Sequence, residues 1–273
     1  EIPLRLVGSE MCIRDRSRVV YGGSLKEERV VVVTGGATGL GAALVERFAN
    51  EGFQVLLNYH RNGEAAKALA RRVTPLIGEG SIIIQQADVA DRQAVRRMFA
   101  AAVEAFGRVD ILINSAGVNR DCSFMDITDD LWDDVVDSHL KGHFICGQEY
   151  VRANPDREGV IINIGAAAGA TGRKNGANFC AAKAGVAILT KCMALELAPR
   201  IRVNCLVPGS VQTREVIERY QLDTEEGLSR ELATLPLGRL GEFDELTDMA
   251  LWMVNATFTT GAKFFVNGGQ YMH

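Results

Sequence analysis

The chain has 273 residues, of which 47% are hydrophobic and 23% charged, the composition of a globular domain with ample material for one large core. A formal net charge of −4 and a pI near 5.7 argue against the broad basic surface that binds phosphate backbones. No apolar run approaches the roughly 20 residues that span a bilayer. We therefore expect neither nucleic acid nor a membrane as a partner.

Six cysteines are scattered through the chain without a C-x-x-C pair, so neither a zinc knuckle nor a redox dithiol is indicated. They are Cys12, Cys122, Cys146, Cys180, Cys192 and Cys205. This pattern favours reduced thiols in a cytoplasmic protein. Residues 1–23 show no periodicity, and we expect them to be an extension that is disordered or foreign to the fold. The folded domain is then expected to span residues 24–273.

From residue 29 onward, strand-like runs alternate with amphipathic, alanine-rich stretches. The run "RVVVVTGG" precedes "LGAALVERFANEG", "QVLLNYH" precedes "GEAAKALARRVT", and "SIIIQQADV" precedes "RQAVRRMFAAAVEAFG". Further strands are predicted at "VDILINSAG", "GVIINIGAAAG", "IRVNCLVPG" and "AKFFVNGG". Continuous Val/Ile/Leu runs are typical of parallel strands buried on both faces. The sequence predicts a single α/β domain, a Rossmann-type doubly wound parallel sheet of about seven strands.

The polar stretch 212–241 lies between two predicted strands and is longer than an ordinary connection. Its composition is compatible with helix. We expect it to be a lid-like insertion on the substrate side.

Three glycines, Gly35, Gly39 and Gly41, stand between the first strand and the first helix. Glycine lets a backbone turn tightly and approach a pyrophosphate, and the first amides of the following helix attract negative charge. A plain tight turn is the alternative, but in the first position of an alternating α/β chain the dinucleotide interpretation is favoured.

The spacing T-G-x-x-x-G-x-G resembles that of the short-chain dehydrogenase/reductase family, and further motifs of that family follow in order. "ADV" at 87–89 resembles its adenine-contacting turn, "NSAG" at 114–117 its N-N-A-G motif, and "PGSVQT" at 208–213 its P-G-x-x-x-T. Within the family, "SAGVNRD" and "LPLGRLGE" are most like the 3-oxoacyl-[acyl-carrier-protein] reductases of fatty acid biosynthesis. The resemblance implies a cofactor site at Gly35, Thr38, Gly39, Leu40, Gly41, Arg61, Asp88, Val89, Asn114, Ala116, Gly117, Lys183, Pro208, Gly209, Val211 and Thr213.

The end of the second strand, "NYHRN" at 58–62, carries Arg61 and no acidic residue. An acid there would accept hydrogen bonds from the ribose hydroxyls and repel a 2′-phosphate. NADP(H) is therefore favoured over NAD(H), although the glycine loop has Thr38 where many NADP-binding relatives have a basic residue. A solvated loop charge is the alternative interpretation of Arg61.

The family resemblance also implies four catalytic positions, and three of them are altered here. The family's tyrosine acid falls on Phe179, its polarising serine on Ala166, and its relay asparagine on His139, while Lys183 retains the family's lysine. Loss of the two hydroxyls removes the expected proton donor and the polarising group for a carbonyl. The sequence leaves open whether natural decay or deliberate inactivation caused these changes.

Three other side chains are candidates to replace the missing proton donor. His139 has a suitable ordinary pKa but is expected to lie behind Phe179, and Cys180 is expected to point away from the site. His139 and His143 share an i, i+4 spacing without a third ligand, so we predict no metal site. Lys183, if desolvated, is the best remaining acid.

Two functions therefore remain. The first is an NADP(H)-dependent oxidoreductase with weak or altered catalysis on a ketone or acyl thioester. The second is a catalytically silent subunit that binds a cofactor or acyl ligand. Relatives in the family are commonly tetramers, so the resemblance implies a homotetramer or a subunit of a hetero-oligomer, assembled through residues 131–154, 178–197 and 262–268.

Overall fold

A computed structural model describes residues 29–272; the extension predicted at residues 1–23 lies outside this range. Seven strands form one parallel sheet, confirming the predicted number and direction. They are β1 (Val30–Thr34), β2 (Gln54–Tyr59), β3 (Ile82–Gln86), β4 (Ile111–Asn114), β5 (Gly159–Ile164), β6 (Ile201–Pro208) and β7 (Lys263–Val266).

The strand order across the sheet is β3-β2-β1-β4-β5-β6-β7. The chain moves outward from β1 to β3, then crosses back to place β4 on the other side of β1. This reversal creates a crevice beyond the carboxyl ends of β1 and β4, the usual ligand site of such sheets. In register, Thr34 pairs with Asn114 and Asn114 pairs with Asn163, so three polar side chains end adjacent strands at this crevice.

Helices cover both faces of the sheet. They are α1 (Gly39–Asn50), α2 (Gly63–Ile77), α3 (Arg92–Phe106), α4 (Asp129–Val136), α5 (Gly142–Ala153), α6 (Ala168–Thr171), α7 (Ala177–Leu197), α8 (Arg214–Tyr220), α9 (Glu225–Leu232) and α10 (Phe243–Asn255). Helices α1, α2 and α10 pack on one face around Phe48, and α3, α5 and α7 pack on the other around Tyr150. None of the helices in the described part of the chain has the length and apolarity that a membrane crossing requires.

Two local features shape the crevice. A wider π-helical turn, Asp137–Lys141, joins α4 to α5 within one continuous rod, and such turns often occur at functional sites. The 212–241 segment contains α8 and α9, in agreement with its helix-compatible composition.

Candidate active site

The turn between β1 and α1 requires its glycines. Gly35 and Gly39 have φ values of +64° and +56°, which side chains with a Cβ rarely adopt. A Cβ on Gly41 would lie 2.2 Å from the Gly35 carbonyl oxygen. Thr38 precedes the helix without capping it through its side chain. The first amides of α1, beginning near Leu40, are therefore left without a side-chain cap at the edge of the crevice.

Asn58 fixes the glycine turn from the neighbouring strand. Its buried Oδ1 accepts a hydrogen bond from the Gly35 amide at 3.2 Å, and its Nδ2 donates to the Ala87 carbonyl at 3.0 Å. This side chain thus ties together the ends of β1, β2 and β3, a structural role that the sequence analysis did not assign. Arg61, three residues later, is exposed on the turn after β2.

The turn after β3 is closed by its own side chain. Asp88 Oδ1 accepts a hydrogen bond from the Ala90 amide at 2.9 Å. Val89 is buried, and a Cβ on Gly142 would lie 2.7 Å from its Cγ2, so the start of α5 packs directly against this turn. A hydrogen bond and close packing therefore hold the turn that carries Asp88 and Val89.

A buried chain of hydrogen bonds crosses the ends of β4 and β5. Asn114 Nδ2 donates to Asn163 Oδ1 at 2.9 Å, and Asn163 Nδ2 donates to Thr190 Oγ1 at 2.9 Å. Thr34 Oγ1 accepts from the Ala116 amide at 3.1 Å, which fixes the start of the 114–117 motif. Because each link is buried, the chain holds β4, β5 and helix α7 in a fixed relation.

Lys183 points from α7 to the end of β5. Its Nζ donates to the Ile164 carbonyl oxygen at 2.6 Å, and the residue is only 5% exposed. Burial disfavours the ammonium form and lowers the pKa of Lys183 to about 8. The side chain is therefore a stronger acid than an ordinary lysine.

The two positions that lack hydroxyls flank this lysine. The Phe179 ring centroid lies 5.8 Å from Lys183 Nζ, and Ala166 follows the end of β5 by two residues. The Asn178 amide, fully buried, donates to the Arg120 and Leu131 carbonyls and anchors the start of α7. The apolar ring at position 179 is thus presented on a firmly held helix.

His139 lies in the π-helical turn and meets both Phe179 and the 114–117 motif. The two rings are 5.2 Å apart at 86°, an edge-to-face contact. His139 Nε2 lies 2.9 Å from the Val118 carbonyl oxygen and so donates to it, while Nδ1 has no partner. A Cβ on Gly117 would lie 1.9 Å from the imidazole Cε1. The imidazole therefore fills the space that a side chain at position 117 would occupy.

His143 is buried beside the same site, at the start of α5. Its Nε2 has no hydrogen-bond partner among the described residues. Burial, reinforced by the charge of Lys183, holds the pKa of both His139 and His143 well below the ordinary value. Both imidazoles are therefore neutral at pH 7, and each has one ring nitrogen without a hydrogen-bond partner.

The remaining predicted positions form the opposite wall. Pro208 ends β6, and a Cβ on Gly209 would lie 2.5 Å from the Asn267 Cα. Val211 is buried, and Thr213 caps α8 by accepting a hydrogen bond from the Val216 amide at 3.1 Å. The structure thus brings the predicted positions of both walls to one end of the sheet, with Arg61 at its outer rim. Within residues 29–272 there is no group of three His, Cys, Asp or Glu side chains arranged to hold a metal ion.

Comparison with known proteins decides the family. Residues 29–222 match the family model described as short chain dehydrogenase. The chain belongs to the short-chain dehydrogenase/reductase family.

Its relatives in this family span nearly the whole chain. It is 36% identical over 255 residues to the 3-oxoacyl-[acyl-carrier-protein] reductase FabG of Staphylococcus aureus, covering 91% of this chain and all of the relative. It is 35% identical over 250 residues to 3beta-hydroxysteroid dehydrogenase 1 of Eggerthella lenta, covering 90% of this chain and 94% of the relative. The chain is therefore an oxidoreductase homologue that resembles the FabG reductases, and its family implies a nicotinamide cofactor.

Solved structures agree with this family. A short-chain dehydrogenase from Bacillus anthracis is similar with a TM-score of 0.78 at 31% identity, and a short-chain dehydrogenase/reductase (glucose/ribitol dehydrogenase) from Brucella melitensis with 0.82 at 29% identity. Each match covers 90% of this chain and 98% of the other. The family and the fold are thereby established.

Proposed function

We propose that this short-chain dehydrogenase/reductase binds NADP(H) and transfers hydride between it and a ketone or acyl thioester, with proton delivery altered from that of its relatives. The observation that carries this proposal is the arrangement around Lys183. The buried Lys183 of α7 donates to the carbonyl oxygen at the end of β5, whereas Phe179 beside it and Ala166, two residues after β5, carry no hydroxyl.

The residues at the crevice fit a dinucleotide. A Cβ at position 41 would overlap the Gly35 carbonyl oxygen, so the turn keeps its backbone close to the start of α1, and the amides there have no side-chain cap. Such a helix start attracts a pyrophosphate. We propose that Gly35, Thr38, Gly39, Leu40 and Gly41 hold the phosphates. The rest of the dinucleotide is proposed to contact Asp88, Val89, Asn114, Ala116, Gly117, Lys183, Pro208, Gly209, Val211 and Thr213. When bound, the nicotinamide cofactor supplies or accepts the hydride.

The preference for NADP(H) is supported by the end of β2. The side chain of Asn58 is neutral and therefore does not repel a 2′-phosphate, and its hydrogen-bonding groups are already used by the backbone. Arg61 is exposed nearby and can approach one. Arg61→Asp should therefore weaken NADPH binding at least tenfold and leave NADH binding within twofold, as measured by quenching of intrinsic fluorescence. Equal losses for both nucleotides would contradict the preference.

Proton delivery is proposed to rest on Lys183. With a pKa of about 8 it is mostly protonated at pH 7 and can give up a proton. No hydroxyl at position 166 or 179 assists, so the step is expected to be slow. His139 and His143 are neutral, each has one ring nitrogen without a hydrogen-bond partner, and His139 lies against the Phe179 ring.

The decisive experiment compares NADPH oxidation with an acetoacetyl thioester in the wild type and in the Ala166→Ser/Phe179→Tyr double variant. A wild-type rate at least 100-fold below that of the double variant is expected, because general acid catalysis typically contributes about 10² to 10⁴ in rate. Comparable rates would refute altered proton delivery. A double variant that binds NADPH but shows no turnover would refute the assigned reaction.

Lys183→Ala tests the nucleotide site under either of the two functions. We expect it to lose NADPH affinity while retaining a cooperative unfolding transition. If the nucleotide is bound normally in wild type and never reduced or oxidised, the protein is the silent binding subunit that the sequence left open.

We also propose that the protein assembles as an oligomer of its own copies or with a related chain. Large apolar side chains are exposed on α5 and α7, with Phe144, Ile188 and Leu195 exposed by 40%, 58% and 83%. Such side chains in one region are typical of an interface. Native mass spectrometry tests this, and a stable monomer at micromolar concentration would refute it.

A further inference from the structure

One carboxylate, Asp121, joins three segments beside the Phe179 ring. It lies in the loop between β4 and α4. Arg173, in the loop that enters α7, donates to its two oxygens at 2.5 and 2.8 Å. Arg219, on α8 of the 212–241 segment, donates to Oδ2 at 2.8 Å through its Nε. Asp121 thus links α8 of the predicted lid to the loop before α7.

These ion pairs are partly shielded from water. The side chains of Arg173 and Arg219 are 15% and 18% exposed, and that of Asp121 is 26% exposed. Burial alone would raise the pKa of Asp121, but the hydrogen bonds and charges of the two arginines outweigh it and lower that pKa. A fork-to-fork arginine–carboxylate pair with little exposure is stronger and more directional than a surface ion pair.

The same arginine sets the environment of the ring at the catalytic position. The Arg173 guanidinium carbon lies 4.9 Å from the centroid of Phe179, within the range of a cation–π contact. The ring also has the edge-to-face contact with His139 described above. Phe179 is therefore held between an imidazole and a guanidinium whose own orientation depends on Asp121.

The second helix of the 212–241 segment, α9, contacts α8 through Arg230 and the Tyr220 carbonyl oxygen, and it also has an attachment of its own. Glu231 of α9 is buried and is hydrogen-bonded to Ser210 Oγ and to Gln270 Nε2, the latter at 2.9 Å. These contacts share no side chain with the Asp121 cluster. Loosening α8 through Asp121 should therefore leave the attachment of α9 in place.

We propose that Asp121 is a positioning residue that fastens helix α8 over the crevice and, through Arg173, fixes the ring at position 179. The contacts described for the Asp121 carboxylate do not include Ala166 or Lys183. It acts through the two arginines. The proposal concerns the protein without nucleotide and does not depend on turnover, so it can fail while the proposed function stands.

The test is hydrogen–deuterium exchange of the nucleotide-free full chain, read by mass spectrometry. In Asp121→Asn, the amides of 214–220 should exchange about tenfold faster while those of 225–232 stay within twofold of wild type. Asp121→Glu should restore most of the protection because it keeps the charge and both acceptors. The matched control is Glu218→Gln, which removes the exposed pair with Arg214 on the same helix and should leave exchange unchanged.

Arg219→Gln breaks the α8 side of the cluster, together with the pair that Arg219 makes with Glu215 on the same helix, and should reproduce the effect on 214–220; Glu215→Gln, which removes that pair alone, is its control. It provides the test if Asp121→Asn does not fold. Unchanged protection of 214–220 in both variants would overturn the proposal. An equally large increase in the exchange rate of 214–220 in Glu218→Gln would also overturn it, and so would a failure of Asp121→Glu to restore protection. Either result would show that the Asp121 carboxylate does not hold the helix in place.

Discussion

Replacing Lys183 by methionine is expected to make the protein more stable at neutral pH. The pKa of this lysine falls from 10.5 to about 8 in the folded protein because the charged form is desolvated. Below pH 8 the lysine is protonated in both the folded and unfolded states, so the folded state carries the full penalty. At about 1.4 kcal/mol per pKa unit, the penalty is about 3 kcal/mol at pH 7.

The net gain is smaller than this penalty. Methionine fills a similar volume, but it removes the hydrogen bond to the Ile164 carbonyl oxygen, which costs about 1 kcal/mol. Lys183→Met is therefore expected to stabilise the fold by about 2 kcal/mol at pH 7. The direction follows from proton binding: between pH 8 and 10.5 the unfolded chain binds more protons at this site, so wild-type stability rises with pH.

The assay is urea unfolding of both proteins without nucleotide at pH 7 and pH 10. Linkage predicts that the advantage of the variant falls by about 2.5 kcal/mol between these two pH values. Lys191→Met, at an exposed position of the same helix, is the control and should change stability by less than about 0.5 kcal/mol at either pH. A destabilised Lys183→Met at pH 7, or an advantage that does not depend on pH, would refute the reasoning.

Three further variants probe the surroundings of the site. Gly117→Ala should lower the free energy of unfolding by about 2–3 kcal/mol because its Cβ would overlap the His139 ring. Adding His139→Ala to the same chain should recover most of that loss. Simple addition of the two effects in urea titrations would contradict this contact. Asn163→Leu should lower the free energy of unfolding by about 2–4 kcal/mol because it leaves its buried partners Asn114 and Thr190 without this hydrogen bond. A thermal midpoint equal to that of wild type would show that the hydrogen-bond chain is absent. The pKa of His143 in the folded protein lies well below 6.5, so the unfolded chain binds a proton at this residue first as pH falls, and wild-type stability should decline below pH 6.5. His143→Leu should show a shallower decline in stability between pH 7 and 5. Parallel profiles of stability against pH would exclude this residue as the cause.

The altered catalytic positions have a consistent physical character. Phe179 and Ala166 keep the shapes of packed residues but present no donor. Two cationic side chains lie against the Phe179 ring. Lys183 is already hydrogen-bonded to the end of β5, and Arg173 is already paired with Asp121. Relative to the family motif, the site has kept its lysine and lost its two hydroxyls.

The sequence by itself determined the sheet and the identity of the motif positions. Runs such as Val30–Val33 must be buried on both faces, and a glycine triplet between strand and helix admits few backbones. The order of such elements along the chain fixes a doubly wound fold. The family motifs then located Lys183, Phe179, Ala166 and His139 without any coordinates.

Only the tertiary structure decided which side chains meet. Asp121, Arg173 and Arg219 are far apart in the chain and belong to loops and a short helix whose placement no local pattern encodes. The neutrality of His143 and the acidity of Lys183 likewise depend on burial by strands and helices from distant parts of the chain. Periodicity reports the face on which a residue lies, whereas pKa values and ion pairs depend on what other segments bring to that face.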